Sequence, residues 1–160
     1  AAPASSPEIH VNGYPAGFVR ILFATLTLLF ASGLALVPNA LDTRLGLDLG
    51  LWSLGGQRTW AAALHAASFF TTLILLGALW TVHMRAGWVR RENVFSAILL
   101  LVAFGLLVAS GLMLYYAGDE LAGQIALGIH LLAGFLLPVL LFTHLIGALQ
   151  ARRRCGLRRP

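Results

Sequence analysis

The stretch LGIHLLAGFLLPVLLFTHLIG, Leu127 to Gly147, decides the fold, because it runs for 21 residues without a charged side chain and still contains two histidines. A helix of about 20 apolar residues crosses the hydrocarbon core of a bilayer. An ionisable residue inside such a span is energetically costly and is by default a candidate functional residue. His130 and His144 are therefore the first candidate functional residues of this protein.

Three more apolar blocks of similar length precede this stretch. The chain is 59% hydrophobic and 11% charged, with a mean hydropathy of +0.84, which is typical of a membrane protein. A lone apolar run in lipid satisfies its backbone hydrogen bonds only as a helix. We predict an all-α fold, a transmembrane four-helix up-down-up-down bundle forming a single integral membrane domain over residues 1–160. The predicted helices cover residues 18–37, 60–83, 94–117 and 121–150, followed by an arginine-rich tail at 151–160.

The arginines predict the orientation of these helices. Nine of the eleven basic residues, all of them arginines, lie at the helix ends that a four-span topology places on one side of the membrane. They are Arg20, Arg85, Arg90, Arg91, Arg152, Arg153, Arg154, Arg158 and Arg159. The positive-inside rule then places both termini in the cytoplasm. We expect the tail to contact anionic lipid headgroups and not nucleic acid, and no cleaved signal peptide, because the first ten residues lack a basic region.

An internal repeat divides the four predicted helices into two hairpins. The first predicted helix contains ASGLAL at residues 31–36, and the third contains ASGLML at residues 109–114. The second and fourth helices each carry two histidines. We therefore expect two hairpins of the same plan, the first with a longer outer loop at residues 38–59.

The histidines of the second and fourth helices form two predicted pairs. Helical rotation of about 100° per residue returns His144 close to the face of His130, fourteen residues earlier, and His83 to the face of His65, eighteen residues earlier. Because the two helices run in the same direction, His65 and His130 form the outer pair and His83 and His144 the inner pair. His10, before the first helix, is an alternative inner partner for His144.

Facing imidazole pairs in an apolar bundle favour haem over zinc. Zinc needs four ligands, and the spans hold no acidic residue or cysteine to complete such a site. A porphyrin supplies four nitrogens and needs two axial ligands, one from each of two facing helices. In an up-down-up-down bundle the second and fourth helices are diagonal partners. We therefore expect two b-type haems per chain.

Glycines and arginines are candidates for contacts around these haems. A porphyrin edge needs close approach of backbone, for which the non-ligand helices offer Gly33, Gly105 and Gly111. Ordinary packing of small residues between membrane helices is the alternative.

Three arginines lie at helix ends where haem propionates would emerge. They are candidate propionate partners, because a guanidinium suits carboxylates. Arg58 lies at the outer end, and Arg20 and Arg85 lie at the inner end. A topological anchor for the inner pair and loop solvation for Arg58 are the alternatives.

The same residues resemble the four-helix cytochrome b superfamily, which includes the membrane subunits of hydrogenases and formate dehydrogenases and the haem domain of respiratory cytochrome b. The resemblance covers residues 18–150, and the family implies a diheme protein, as in a bacterial inner membrane. The motifs that carry it are His130 and His144 fourteen apart, His65 near the outer end of its helix, and the Ser-Gly pairs Ser32-Gly33 and Ser110-Gly111.

One position separates the branches of that family. The hydrogenase-like branch has a haem-ligating histidine fourteen residues before the glycine of the first helix, and here Val19 stands fourteen residues before Gly33. The respiratory pattern, with two histidines on each of two helices, is the better match. His65 and His83 are eighteen apart instead of fourteen. Helix tilt and a kink at Pro138 are expected to absorb the extra turn of about 5.4 Å.

These features predict transmembrane electron transfer between a redox partner and the membrane quinone pool. Bis-histidine iron has no open position for substrate chemistry. No flavin, iron-sulfur or dinucleotide motif is present in the 160 residues, so we expect an electron-transfer subunit of a hetero-oligomeric redox complex instead of a stand-alone enzyme. The alternatives are a non-haem accessory or assembly subunit with hydrogen-bonded histidines, and a small proton or metal transporter, which would be expected to carry an acidic residue in its spans.

Overall fold

A computed structural model describes residues 10–11, 14–48, 50, 57–90 and 93–156. The α-helices are α1 (Ala16–Leu45), α2 (Arg58–Leu79), α3 (Arg85–Arg90), α4 (Val94–Tyr116) and α5 (Glu120–Gly156). A π-helix, Trp80–Met84, joins α2 to α3, and the two-residue strands β1 (His10–Val11) and β2 (Tyr14–Pro15) pair antiparallel. Helices account for nearly all of the described residues, so the predicted all-α fold is confirmed.

Four of the helices are long and apolar enough to cross a membrane, as predicted. They are Gly17–Leu45, Arg58–Leu79, Val94–Tyr116 and Glu120–Ala151, of 29, 22, 23 and 32 residues. Large apolar side chains cover their outward faces: Ile74 is 74% exposed and Leu132 is 65% exposed. Exposed apolar surface of this extent is the surface that lipid tails cover in a membrane protein.

The helix ends differ from the predicted ones at several places. The first helix was expected to end before Pro38, and instead α1 continues through it to Leu45. Proline has no N–H to donate, and membrane helices tolerate the single lost hydrogen bond. The predicted outer loop at 38–59 is shortened accordingly; its residues 49 and 51–56 lie outside the described residues. At the other end of the chain α5 continues into the predicted tail, of which residues 157–160 are also outside them.

The chain forms two compact units. The first unit comprises Ala1–Leu36 and Leu54–Val82, and the second comprises Val37–Ser53 and His83–Pro160. In the first unit the buried side chains among the described residues all carry hydroxyl groups: Ser32, Ser68 and Thr72.

In the second unit α4 and α5 pack against each other along small side chains. Ala103 and Ser110 of α4 and Ala126 and Ala133 of α5 are buried. Small residues allow the backbones of membrane helices to approach closely, which gains dispersion energy where lipid supplies no hydrophobic driving force. This close approach determines which polar side chains of the two helices meet.

Polar contacts hold the end of this hairpin where α4 leads into α5. Arg44 at the end of α1 donates from Nη2 to the carbonyl oxygen of Leu114, over 2.8 Å. A Cβ added at Gly123 would lie 2.8 Å from Nη1 of the same guanidinium, so Arg44 lies against a position without a side chain. Asp119 caps α5 by accepting from the backbone N–H of Ala122, over 2.8 Å.

A second close approach holds the opposite end of the hairpin. Asn93 precedes α4 with φ of 51°, in the left-handed region that asparagine tolerates. A Cβ added at Gly147 of α5 would lie 2.9 Å from Oδ1 of Asn93. Glycine at this position therefore lets the start of α4 pack directly on α5.

Candidate functional site

His65 in the first unit is held by two acceptors on α1. Its Nδ1 lies 3.0 Å from the carbonyl oxygen of Leu29 and 3.1 Å from Oγ of Ser32. A carbonyl oxygen can only accept, so Nδ1 carries the proton. Ser32 in turn donates its own proton to the carbonyl of Leu28 over 2.7 Å. In the neutral imidazole the lone pair is then on Nε2, which is the form of histidine that binds a metal.

The glycine next to that serine makes room for the imidazole. A Cβ added at Gly33 would lie 2.8 Å from Cε1 and 3.3 Å from Nδ1 of His65. Any side chain at this position would displace the ring. The string ASGLAL thus supplies a hydrogen-bond acceptor from its serine and space for the ring from its glycine.

His130 in the second unit has the same arrangement with α4. Its Nδ1 lies 3.0 Å from Oγ of Ser110, and Ser110 donates to the carbonyl of Leu106 over 2.6 Å. A Cβ added at Gly111 would lie 3.4 Å from Cε1 of His130, which is ordinary contact. The two copies of the repeated string therefore hold a histidine in the same way, one in each unit.

His144 has a serine partner that the repeat does not contain. Its Nδ1 lies 2.8 Å from Oγ of Ser96, near the start of α4, and Ser96 donates to the carbonyl of Asn93 over 2.9 Å. Ser96 and Ser110 are fourteen residues apart on α4, as His130 and His144 are on α5. In two helices packed antiparallel, equal spacing supplies each histidine with its own serine.

The inner histidines come together within the second unit. His83, in the π-helix, is exposed, and its ring centre lies 6.2 Å from that of His144, with the ring planes at 74°. At this separation the two imidazoles could hold one bound group between them, and haem is a group that needs two such ligands.

The donor set fits haem better than it fits a metal ion without a macrocycle. Among the described residues no group of three or more His, Cys, Asp or Glu side chains comes together. Zinc would need four such ligands, whereas haem needs two. Ser68 adds an unused polar atom: it follows His65 by one turn on α2, is 3% exposed, and its Oγ has no hydrogen-bond partner in the part of the chain that the structure describes. A buried hydroxyl without a partner is costly, and a bound group near His65 would relieve that cost.

The other candidate residues are less constrained. Gly105 is exposed, and a Cβ added there would meet no atom within 4 Å. The three candidate propionate partners, Arg20, Arg58 and Arg85, all have exposed side chains. Their proposed contacts stay predictions, and the side chain of His10 lies outside the described residues.

The sequence does not predict the hydrogen-bonding role of three serines. Ser32 and Ser110 belong to the repeated string and to the Ser-Gly pairs of the resemblance, and Ser96 belongs to neither pattern. The signal that could have found Ser96 is its spacing from Ser110, which equals the spacing of the two histidines on the neighbouring helix.

No protein-family model, curated protein or solved structure matches this chain.

Proposed function

We propose that this protein transfers electrons across a membrane through two b-type haems, each held by two histidines. The observation that carries the proposal is the shared state of three imidazoles on membrane-length helices. Nδ1 of each of His65, His130 and His144 lies 2.8 to 3.1 Å from Oγ of a serine on a neighbouring helix, and each serine also donates to a backbone carbonyl. A neutral imidazole that donates from Nδ1 carries its lone pair on Nε2, which is the form typical of metal-binding histidines.

The sequence predicts two pairs of histidine ligands. We assign His83 and His144 to one haem, which the 6.2 Å separation of their rings supports. The pairing of His65 with His130 at the other haem rests on the sequence pattern alone. A haem with two histidine ligands supplies one-electron transfer and leaves no position open for substrate. The histidines would hold and orient that group.

The proposed setting is a redox complex in a bacterial inner membrane, within the four-helix cytochrome b superfamily. The arginine distribution supports cytoplasmic termini. We infer that the electron donor belongs to another subunit of that complex. We assign the membrane quinone pool as the acceptor or donor at one face.

A reduced-minus-oxidised visible spectrum of the purified protein tests this proposal, with haem per chain measured as the pyridine adduct. We expect two b haems, and one in His144→Ala. Thr143→Ala is the matched control, because Thr143 is the adjacent residue of α5, is exposed, and bonds only within its helix. A protein purified without haem, from cells that make it, would refute the cytochrome assignment.

A second function is favoured by the same hydrogen bonds. Serine–histidine bonds between helices stabilise a membrane bundle on their own, by about 0.6 kcal/mol each on average. The protein would then be a colourless accessory or assembly subunit of a membrane complex. For such an accessory subunit we expect the protein to purify without haem. His144→Ala should then lower the melting temperature and leave the visible spectrum unchanged.

A further inference from the structure

Three serines share one geometry that the electron-transfer proposal does not by itself require. Each lies 2.8 to 3.1 Å from Nδ1 of a histidine on another helix, and each donates its own proton to a carbonyl of its own helix. We infer that Ser32, Ser96 and Ser110 are positioning residues that set the reduction potentials of the two haems. This inference rests on the proposed function.

The direction of the effect follows from the hydrogen bonds. A serine whose proton is already donated can only accept from the imidazole. An accepted Nδ1 proton raises the electron density and basicity of the ring at Nε2. Ferric iron carries one more positive charge than ferrous iron, so a more basic ligand stabilises the ferric state preferentially. Each serine therefore lowers the potential of the haem that its histidine binds.

The same bonds fix the orientation of the rings. A single acceptor at Nδ1 restricts rotation of the imidazole and sets which nitrogen carries the proton. At His65 the carbonyl of Leu29 adds a second acceptor at 3.0 Å, and the missing side chain of Gly33 leaves the ring its place. Orientation and proton position are thus both determined by the neighbouring helix.

Hydroxyl groups elsewhere on the helices have a different arrangement, which supplies controls. Thr71 and Thr143 are exposed and donate to carbonyls of their own helices, at 2.9 Å in both cases. Within the described residues, neither hydroxyl is hydrogen-bonded to a histidine ring nitrogen. A hydroxyl removed there changes the helix surface without changing the imidazole acceptor.

Redox titration of the purified protein tests the inference. We expect Ser96→Ala to shift the ferric-to-ferrous equilibrium of one haem three- to tenfold towards the ferrous form, which is a rise of about 30–60 mV. Ser110→Ala should raise the potential of the other haem. Ser96→Thr, which keeps the acceptor, should restore the original value, and Thr143→Ala should leave both potentials unchanged. Ser96→Cys, of similar size but a weak acceptor, should behave like Ser96→Ala.

The outcomes separate this inference from the proposed function. If Ser96→Ala and Ser110→Ala both retain haem and their reduction potentials are unchanged, the role of the serines is overturned and the cytochrome assignment stays intact. A protein without haem would overturn the cytochrome assignment and with it the effect on potential. Histidine ¹⁵N NMR of that protein would then decide the remaining point: protons on Nδ1 of His65, His130 and His144 support serine-controlled proton position, and protons on Nε2 contradict it.

Discussion

Replacing Gly33 by alanine should break the histidine site of the first unit. The new Cβ would lie 2.8 Å from Cε1 of His65, whereas carbon atoms pack at about 3.5–4.0 Å, so the ring must move by roughly 0.7 Å or more. A shift of that size away from α1 stretches the hydrogen bonds of 3.0 and 3.1 Å to Leu29 and Ser32 beyond the usual limit. Overpacking of this kind costs about 1–3 kcal/mol.

Gly111→Ala is the matched control for this experiment. Its Cβ would lie 3.4 Å from Cε1 of His130, so the ring can stay in place, and alanine favours the helix over glycine by about 1 kcal/mol. We expect Gly33→Ala to lower the melting temperature in detergent and to reduce haem per chain, and Gly111→Ala to do neither. Equal behaviour of the two variants would refute the reasoning, because it would show that close approach of His65 does not depend on glycine.

Two further predictions concern the ends of the second hairpin. Gly147→Ala places a Cβ 2.9 Å from Oδ1 of Asn93 and should lower the melting temperature. The control variant Gly128→Ala places a Cβ with no atom within 4 Å and should not lower it. Coincident melting curves of the two variants would contradict this prediction. Arg44→Met removes a 2.8 Å bond to a carbonyl at the end of α4, which we expect to cost about 1 kcal/mol and to speed amide hydrogen exchange there. The exposed Arg58→Met should leave that exchange unchanged, and no difference between the two variants would argue against the bond.

The positions of the helices could be predicted more closely than their ends. Apolar runs of membrane length predicted both ends of α4 to within one residue and those of α2 to within four, whereas α5 continues six residues beyond its predicted end. The prediction failed at the end of α1, because proline was taken as a stop. A proline removes one backbone hydrogen bond of the helix. An apolar helix tolerates that single loss and continues through the proline.

The histidines could be singled out from the sequence, but their immediate partners could not. Ser96 and His144 are 48 residues apart in the chain, and nothing in either residue indicates the other. Their meeting depends on the register of α4 against α5, which follows from small residues such as Ala103 and Ala133 and from the space at Gly147. Sequence spacing predicts the face on which a side chain lies and not the atom that it meets.

The sequence by itself thus determined the secondary structure and the candidate ligands, because lipid leaves a long apolar run only one way to satisfy its backbone, and a histidine inside such a run needs a reason to be there. Only the tertiary structure bears on which ring nitrogen of an imidazole carries the proton, a position that the sequence leaves open. That position depends on whether an acceptor lies within about 3 Å of Nδ1, and such a distance is set by the packing of two helices against each other.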